Sequence, residues 1–281
     1  MIPAAFEYER AESVEEAIEL LARYGEDAKL LAGGQSLLPF MKLRFARPSA
    51  LVDIGRISEL SYVRDDGDAV ALGALLTHNQ ANHEALLADA CPLLAHAAGE
   101  VGDPQVRHMG TVGGSVAHAD PASDIPAVLV ALDADLVLRG EGGERSVAAR
   151  DFFRSAFETE LGPQEVLTEI RVAKRPSAGW SYVKFHPRAQ DWAIVGVAAL
   201  VERGDGGIGS ASVTLTNMGA TPVRATSVEA ALTEGEDVAS AAARAAEGTS
   251  PVSDPFASAE YRRYLAPVLV RRALEEALSR S

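Results

Sequence analysis

Two short segments carry the residue types from which a binding site is most readily built. One is Ala32-Gly33-Gly34-Gln35-Ser36, directly after the apolar run Lys29-Leu30-Leu31. The other lies inside Gln105 to Asp124, where Thr111, Val112, Gly113, Gly114 and Ser115 offer hydroxyls and thinly covered backbone N–H groups. A backbone that can be approached this closely suits something flat or anionic, and a pyrophosphate is the common case. Two such segments, one of them behind a strand, could grip one dinucleotide from two sides. Neither is diagnostic alone: a turn at a strand end explains Gly33-Gly34 as well as a ligand does. The Gly-x-Gly-x-x-Gly fingerprint is absent from both, and no Gly-Lys-Ser/Thr follows either.

Other residues have competing readings. His118, Asp120 and Asp124 have metal-ligand chemistry, but the sequence nominates no further firm ligand. A turn at Asp120-Pro121 with solvated carboxylates accounts for them, so no metal is assigned. Lys184, Asp191 and Trp192 fall at or after a strand end. Trp192 reads by default as a core or subdomain-contact residue, and Asp191 as a cap. Arg262, Arg263, Arg271 and Arg272 read as the wet face of an amphipathic helix, with a partner surface as the alternative.

The elements that position these residues follow from local signals. Ser13 and Glu16 form a capping box for a helix ended by Gly25. Lys29–Ala32 reads as a strand, Leu37–Arg44 as a short helix and Leu51–Ile54 as the next strand. Asp65-Asp66-Gly67-Asp68 joins Tyr62-Val63 to Ala69–Leu72 in a hairpin. Thr77 caps a helix through Leu87, and Pro92 opens another that stops before Gly99. The segment around Gly113-Gly114 reads as a loop, followed by a helix at Pro126–Leu132. Strands are expected at Asp135–Arg139, Val166–Val172 and Trp180–Phe185. A second hairpin pairs Ala193–Glu202 with Ile208–Thr216 across Gly204-Asp205-Gly206-Gly207. Helices at Ser227–Leu232, Val238–Ala246 and Tyr261–Leu278 complete an α+β chain whose C-terminal part begins near Pro176.

Bulk properties exclude several classes. The 281 residues are enough for an ample core, and a net charge of −14 opposes non-specific nucleic-acid binding. No apolar run is long enough to span a membrane. Met1 is not followed by a basic region and apolar stretch of the secretory kind, so a cytoplasmic location is expected. The single cysteine, Cys91, excludes an internal disulfide and an iron–sulfur cluster held by this chain alone.

In combination the motifs are specific. Ala32-Gly33-Gly34-Gln35-Ser36-Leu37-Leu38-Pro39 with Met41-Lys42-Leu43-Arg44 resembles the first flavin loop of the FAD-binding medium subunits of molybdenum hydroxylases. Arg107, Gly110 to Ser115 and Ala117-His118-Ala119-Asp120-Pro121-Ala122 resemble the second. Asp151-Phe152-Phe153, Thr159, Glu165-Val166-Leu167, Lys184 and Asp191-Trp192-Ala193 follow in the family's order. The resemblance covers nearly the whole chain and is nearest to the medium subunits of aerobic carbon monoxide dehydrogenases.

That resemblance implies a two-part, vanillyl-alcohol-oxidase-like FAD-binding fold over residues 1–175, divided at about 56, and a C-terminal domain of a small antiparallel sheet plus helices over 176–281. It implies non-covalent FAD, with Ala32 to Ser36 and Thr111 to Ser115 on the pyrophosphate, Asp124 on the ribityl chain and Leu167 and Lys184 beside the ring. Trp192 stands where a tyrosine is usual and can cover one ring face. Met109 stands where arginine is frequent. No residue is expected to act as acid, base or nucleophile. The implied partners are an iron–sulfur small subunit and a molybdopterin large subunit, in a dimer of heterotrimers serving an external electron acceptor. Such a complex can also lie peripherally at the inner face of the membrane. The alternatives are a self-sufficient flavin reductase or oxidase of the same fold, and a medium subunit serving another substrate.

Overall fold

The computed structural model describes residues 2–189, 191–205 and 207–281. Gly206, in the expected second hairpin turn, lies outside them. The chain folds α+β around three larger sheets and three packed apolar clusters, with a fourth, two-stranded sheet beside them.

The first layer contains β1 (Glu7–Arg10), α1 (Val14–Tyr24), β2 (Ala28–Leu31), α2 (Leu37–Lys42) and β3 (Ala50–Asp53). Its sheet is parallel, with β3 between β1 and β2. Ser13 Oγ accepts from the Glu16 N–H at 3.1 Å, but the Glu16 carboxylate reaches back to the Glu12 N–H rather than to Ser13. β1 was not legible in advance, because its sequence is polar and it lies at a sheet edge. Helix α2 ends two residues early, and Arg44 beyond it takes φ 62°.

The second layer opens with the hairpin β4 (Val63–Asp65) and β5 (Ala69–Gly73). Six helices follow: α3 (His78–His83), α4 (Ala85–Ala90), α5 (Pro92–Glu100), α6 (Pro104–Met109), α7 (Val112–His118) and α8 (Asp124–Ala131). The expected helix from Thr77 to Leu87 is two helices, because Glu84 is extended at ψ 117°. Gly99 does not stop α5. The expected central loop is largely helical: Asp103 caps α6 ahead of Pro104, and Thr111 caps α7 through the Gly114 N–H. The layer closes with β6 (Asp135–Gly140), β7 (Gly143–Ala148), α9 (Ala149–Phe152), the small pair β8 (Phe153–Ser155) and β9 (Glu158–Thr159), and β10 (Val166–Ala173). Its five-stranded sheet runs β4-β5-β10-β6-β7, with a register shift in β10 between Leu167 and Glu169.

The third layer is the antiparallel sheet β11 (Gly179–Phe185), β12 (Val195–Gly204), β13 (Gly207–Thr216) and β14 (Val223–Arg224), with α10 (Thr226–Thr233), α11 (Val238–Ala242) and α12 (Ala259–Ser279). Strand β12 is buried on both faces, as its unbroken apolar run implies. Val195, Val197, Ala199 and Val201 pack in the cluster with α12, whereas Ala198 and Leu200 join the core of the second layer. Arg262 is not on the wet face of α12: it is 1% exposed and donates to the Ile194 carbonyl and the Asp254 carboxylate. The helical phase explains this, since Arg262, Leu265, Ala266 and Leu269 form one buried stripe.

Candidate functional site

A cleft of about 630 Å³ is lined mainly by the first and second layers, with a few residues of the third. It is lined by the strand ends and turns where the two glycine segments lie. Lys184, Asp191 and Trp192 come from the third layer.

The first segment leaves β2 and turns into α2. Gly34 has φ 70°, which favours glycine. Among the described residues, the N–H groups of Gly33, Gly34, Gln35 and Ser36 donate to no protein acceptor. Four successive free amides at residues lining a cleft are donors available to an anion. Gly33 is needed for a different reason from the one the sequence suggested. A Cβ there would lie 2.0 Å from the Met109 carbonyl oxygen, so the glycine lets the two segments touch.

The second segment is spent differently from expectation. The Val112 and Gly113 N–H groups donate to the Leu76 and Ala74 carbonyls, at 2.9 Å each. Those of Gly114 and Ser115 donate to Thr111 Oγ1 and the Thr111 carbonyl, at 3.0 Å each. These amides are already satisfied, so the segment offers the Ser115 hydroxyl and a surface without bulk. Gly113 serves packing, because a Cβ would fall 2.6 Å from the Ala74 oxygen.

Asp124 and Lys184 form a buried ion pair at 2.8 Å, and Tyr182 donates to the other Asp124 oxygen at 2.6 Å. Lys184 also donates to the Glu100 carbonyl at 3.0 Å. Burial raises the Asp124 carboxyl above its ordinary range, and Lys184 offsets part of that rise. Burial beside Asp124 lifts the Tyr182 phenol well above its own range, so it stays a donor. Leu167 is buried on β10 and lines the cleft. Trp192 also lines it and is 58% exposed, which excludes a core role.

Sequence reading missed three residues at or beside the cleft. His78 is buried on its wall, and its Nδ1 has no partner among the described residues. Desolvation, with Arg107 nearby, pushes its pKa down to about 4, so the ring is neutral. No local signal marks it. Tyr182 was recoverable, because it lies two residues from Lys184 on β11 and so shares its face. Asn217, at φ 62°, donates its side-chain amide to the Ala193 carbonyl at 2.7 Å and its backbone N–H to the Pro121 carbonyl at 2.9 Å. It ties the Trp192 segment to the wall beyond α7. The three residues with metal-ligand chemistry have separate roles. Asp120 closes a turn onto the Ala122 N–H, Asp124 is paired, and the His118 ring lies between Phe40 and Phe157.

The family model described as the FAD binding domain in molybdopterin dehydrogenase matches residues 4–174, and that of the CO dehydrogenase flavoprotein C-terminal domain matches residues 180–277. The chain belongs to the FAD-carrying medium subunits of the molybdenum hydroxylases. The carbon monoxide dehydrogenase medium chain of Hydrogenophaga pseudoflava is 41% identical, over 100% of this chain and 99% of that relative. Subunit alpha of the 6-hydroxypseudooxynicotine dehydrogenase complex of Paenarthrobacter nicotinovorans is 38% identical, over 100% and 97%. The structure of carbon monoxide dehydrogenase from Hydrogenophaga pseudoflava lacking the Mo-pyranopterin moiety superimposes with a TM-score of 0.97 at 42% identity, covering 100% of this chain and 99% of that one.

As a medium subunit, the chain is part of an oxidoreductase and its cofactor is FAD. The residues present fit that group. The cleft has the volume of a small-molecule site, the amides of Gly33 to Ser36 suit a pyrophosphate, and the Ser36 and Ser115 hydroxyls make no hydrogen bond among the described residues. Among the described residues, no helix is long and apolar enough to cross a membrane.

Proposed function

We propose that this chain is the electron-transfer subunit of an aerobic carbon monoxide dehydrogenase, working between iron–sulfur clusters and an external acceptor. The observation that carries the reading is the row of four amides, Gly33 to Ser36, without a partner among the described residues, on the cleft wall of a medium subunit. Those amides and the Ser36 hydroxyl hold the pyrophosphate from one side. Thr111, Val112, Gly113, Gly114 and Ser115 supply the close, unbulky wall opposite, with the Ser115 hydroxyl as donor. Asp124, fixed by Tyr182 and Lys184, faces the ribityl chain, and Leu167 and Lys184 border the ring. Trp192 covers one ring face. FAD, when bound, supplies the exchange between one- and two-electron steps. The protein's part is position, exclusion of water and a fixed electrostatic surround.

In this reading, residues 1–175 carry the cofactor site and 176–281 close it. The iron–sulfur clusters and the molybdopterin belong to a small and a large subunit, in a dimer of heterotrimers. Cys91 supports that division, since one buried thiol cannot build a cluster site. The complex works in the cytoplasm or against the inner face of the membrane. The carbon monoxide assignment is supported by full-length likeness to carbon monoxide dehydrogenase medium chains.

The test uses the isolated chain and the native complex. The isolated chain is expected to bind one FAD that acid precipitation releases, and to oxidise no carbon monoxide. Adding the two partners restores oxidation. A yellow pellet contradicts non-covalent binding. Oxidation by the pure chain at the complex's rate overturns the relay reading in favour of a self-sufficient flavoenzyme.

A further inference from the structure

His78 lines the cleft with an imidazole that no protein group uses among the described residues. It is 4% exposed and opens α3, where Thr77 and Gln80 form a reciprocal cap. Its backbone N–H donates to the Gly110 carbonyl at 3.0 Å. The ring lies against Gly110, since a Cβ built there falls 3.2 Å from His78 Cδ2 and 3.5 Å from Gln35 Cγ. The side chain is therefore held in place by its surroundings while both nitrogens stay unassigned. Nδ1 is sealed within the protein and has no partner among the described residues. Nε2 makes no hydrogen bond among the described residues either, but it is not sealed.

That difference fixes where the proton sits. Burial, with Arg107 nearby, keeps the ring neutral, and a neutral imidazole carries one proton. On Nδ1 it would make a buried N–H with no acceptor, the costlier of the two omissions. On Nε2 it leaves Nδ1 with only a bare lone pair and turns an N–H donor toward the cleft. The surroundings select the Nε2–H tautomer.

The wall that carries this donor joins two parts of the site. At one end are Gly110 and Gln35, beside the amides of Gly33 to Ser36. Farther along are Val106, in α6, and Gly102 and Val101, which follow α5; all three line the cleft, and α3 packs against both helices. The neighbouring Glu100 carbonyl accepts from Lys184 at 3.0 Å, so the wall leads to the residues assigned to the flavin ring. The pyrophosphate has its donors in the amides of Gly33 to Ser36. What remains for a neutral donor between that end and Lys184 is a ribityl hydroxyl or a ring carbonyl.

We infer that His78 binds the riboflavin half of FAD, its Nε2–H donating to a neutral oxygen of that half. The inference rests on the placement of FAD proposed above and adds a contact to it.

The experiment titrates the full-length chain, freed of flavin, with FAD, riboflavin and ADP, followed by flavin fluorescence and calorimetry. His78→Leu removes the donor and is expected to weaken both FAD and riboflavin about 10-fold, leaving ADP within about twofold of wild type. The glutamine amide nitrogen reaches the position of Nε2 and the asparagine amide only that of Nδ1. His78→Gln is therefore expected to bind both flavins within about threefold of wild type, and His78→Asn to behave as His78→Leu. Nitrogen-15 NMR of the histidine-labelled wild-type chain at neutral pH is expected to show His78 as the Nε2–H tautomer, with the Nε2 resonance moving when FAD or riboflavin is added and not when ADP is. This reading needs no variant to fold. Unchanged riboflavin affinity in His78→Leu, an equal loss for ADP, a glutamine variant as weak as leucine, or an Nδ1–H or charged ring overturns the inference and leaves the FAD site standing. A wild-type chain that binds no FAD overturns both.

Discussion

His78 gives a prediction whose size follows from its burial. Its imidazole is buried on the cleft wall, Nδ1 has no partner among the described residues, and its pKa falls from 6.5 to about 4. In the unfolded chain the ring takes up a proton near its ordinary pKa. In the folded chain it does not until much lower pH. The unfolded state therefore binds more protons between about 6.5 and about 4, and stability falls as pH falls through that window. The full contribution is present above about 6.5. By pH 5 about 2 kcal/mol is lost, and toward pH 4 about 3 kcal/mol. Carboxylates elsewhere also titrate in this range, so the measurement must be a difference. Urea unfolding followed by tryptophan fluorescence, at pH 7.5 and at pH 5, compares wild type with His78→Gln under equal excess FAD. The wild type is expected to lose about 2 kcal/mol more than the variant over that interval. Equal losses would show that His78 protonates freely in the fold, and the account of its buried, unpartnered ring would be refuted.

Other expectations follow from the same geometry. Gly33→Ala places a methyl 2.0 Å from a backbone oxygen and should lower FAD affinity at least 100-fold. Gly142→Ala, with nothing within 4 Å, should bind as wild type; equilibrium flavin titration compares the two. Lys184→Met strands the buried Asp124 carboxylate and should cost about 3–5 kcal/mol in denaturant unfolding. The double variant with Asp124→Asn should recover part of that loss. Asn217→Ala should cost about 2 kcal/mol, from one hydrogen bond and a left-handed alanine. Asn217→Gly should cost about half as much and, like the alanine variant, raise flavin emission by freeing the Trp192 segment.

Much of this was legible in the sequence where the cause is local. The hairpin at Asp65-Asp66-Gly67-Asp68 formed where its turn residues placed it, and the apolar run of β12 marked a strand covered on both faces. The stretch from Gly110 to Ser115 was legible as a close-approach surface. The partners of the Val112 and Gly113 amides were not, because their acceptors, Leu76 and Ala74, lie more than thirty residues earlier and meet them only in the folded chain. Arg262 shows the opposite case. Its place on the buried stripe was available from helical phase, but its charge argued for solvent, and the carbonyl and carboxylate that accept from its two terminal nitrogens lie outside its helix. The break at Glu84 has no breaker residue to announce it.

The buried Asp124–Lys184 pair joins a helix of the second layer to a strand of the third, and Asn217 makes a second stitch between the same parts. The cleft is thus a seam, complete only after every layer has docked. A ligand lodged in a seam acts as a clasp. At a hundred times its dissociation constant it adds about 2.7 kcal/mol against opening. Newly made chain that meets no flavin lacks this term and spends more time ajar, with apolar seam surface open to proteases. Flavin supply would then govern how long each copy survives, and a cell starved of riboflavin would lose this protein by turnover as well as by want of a redox group.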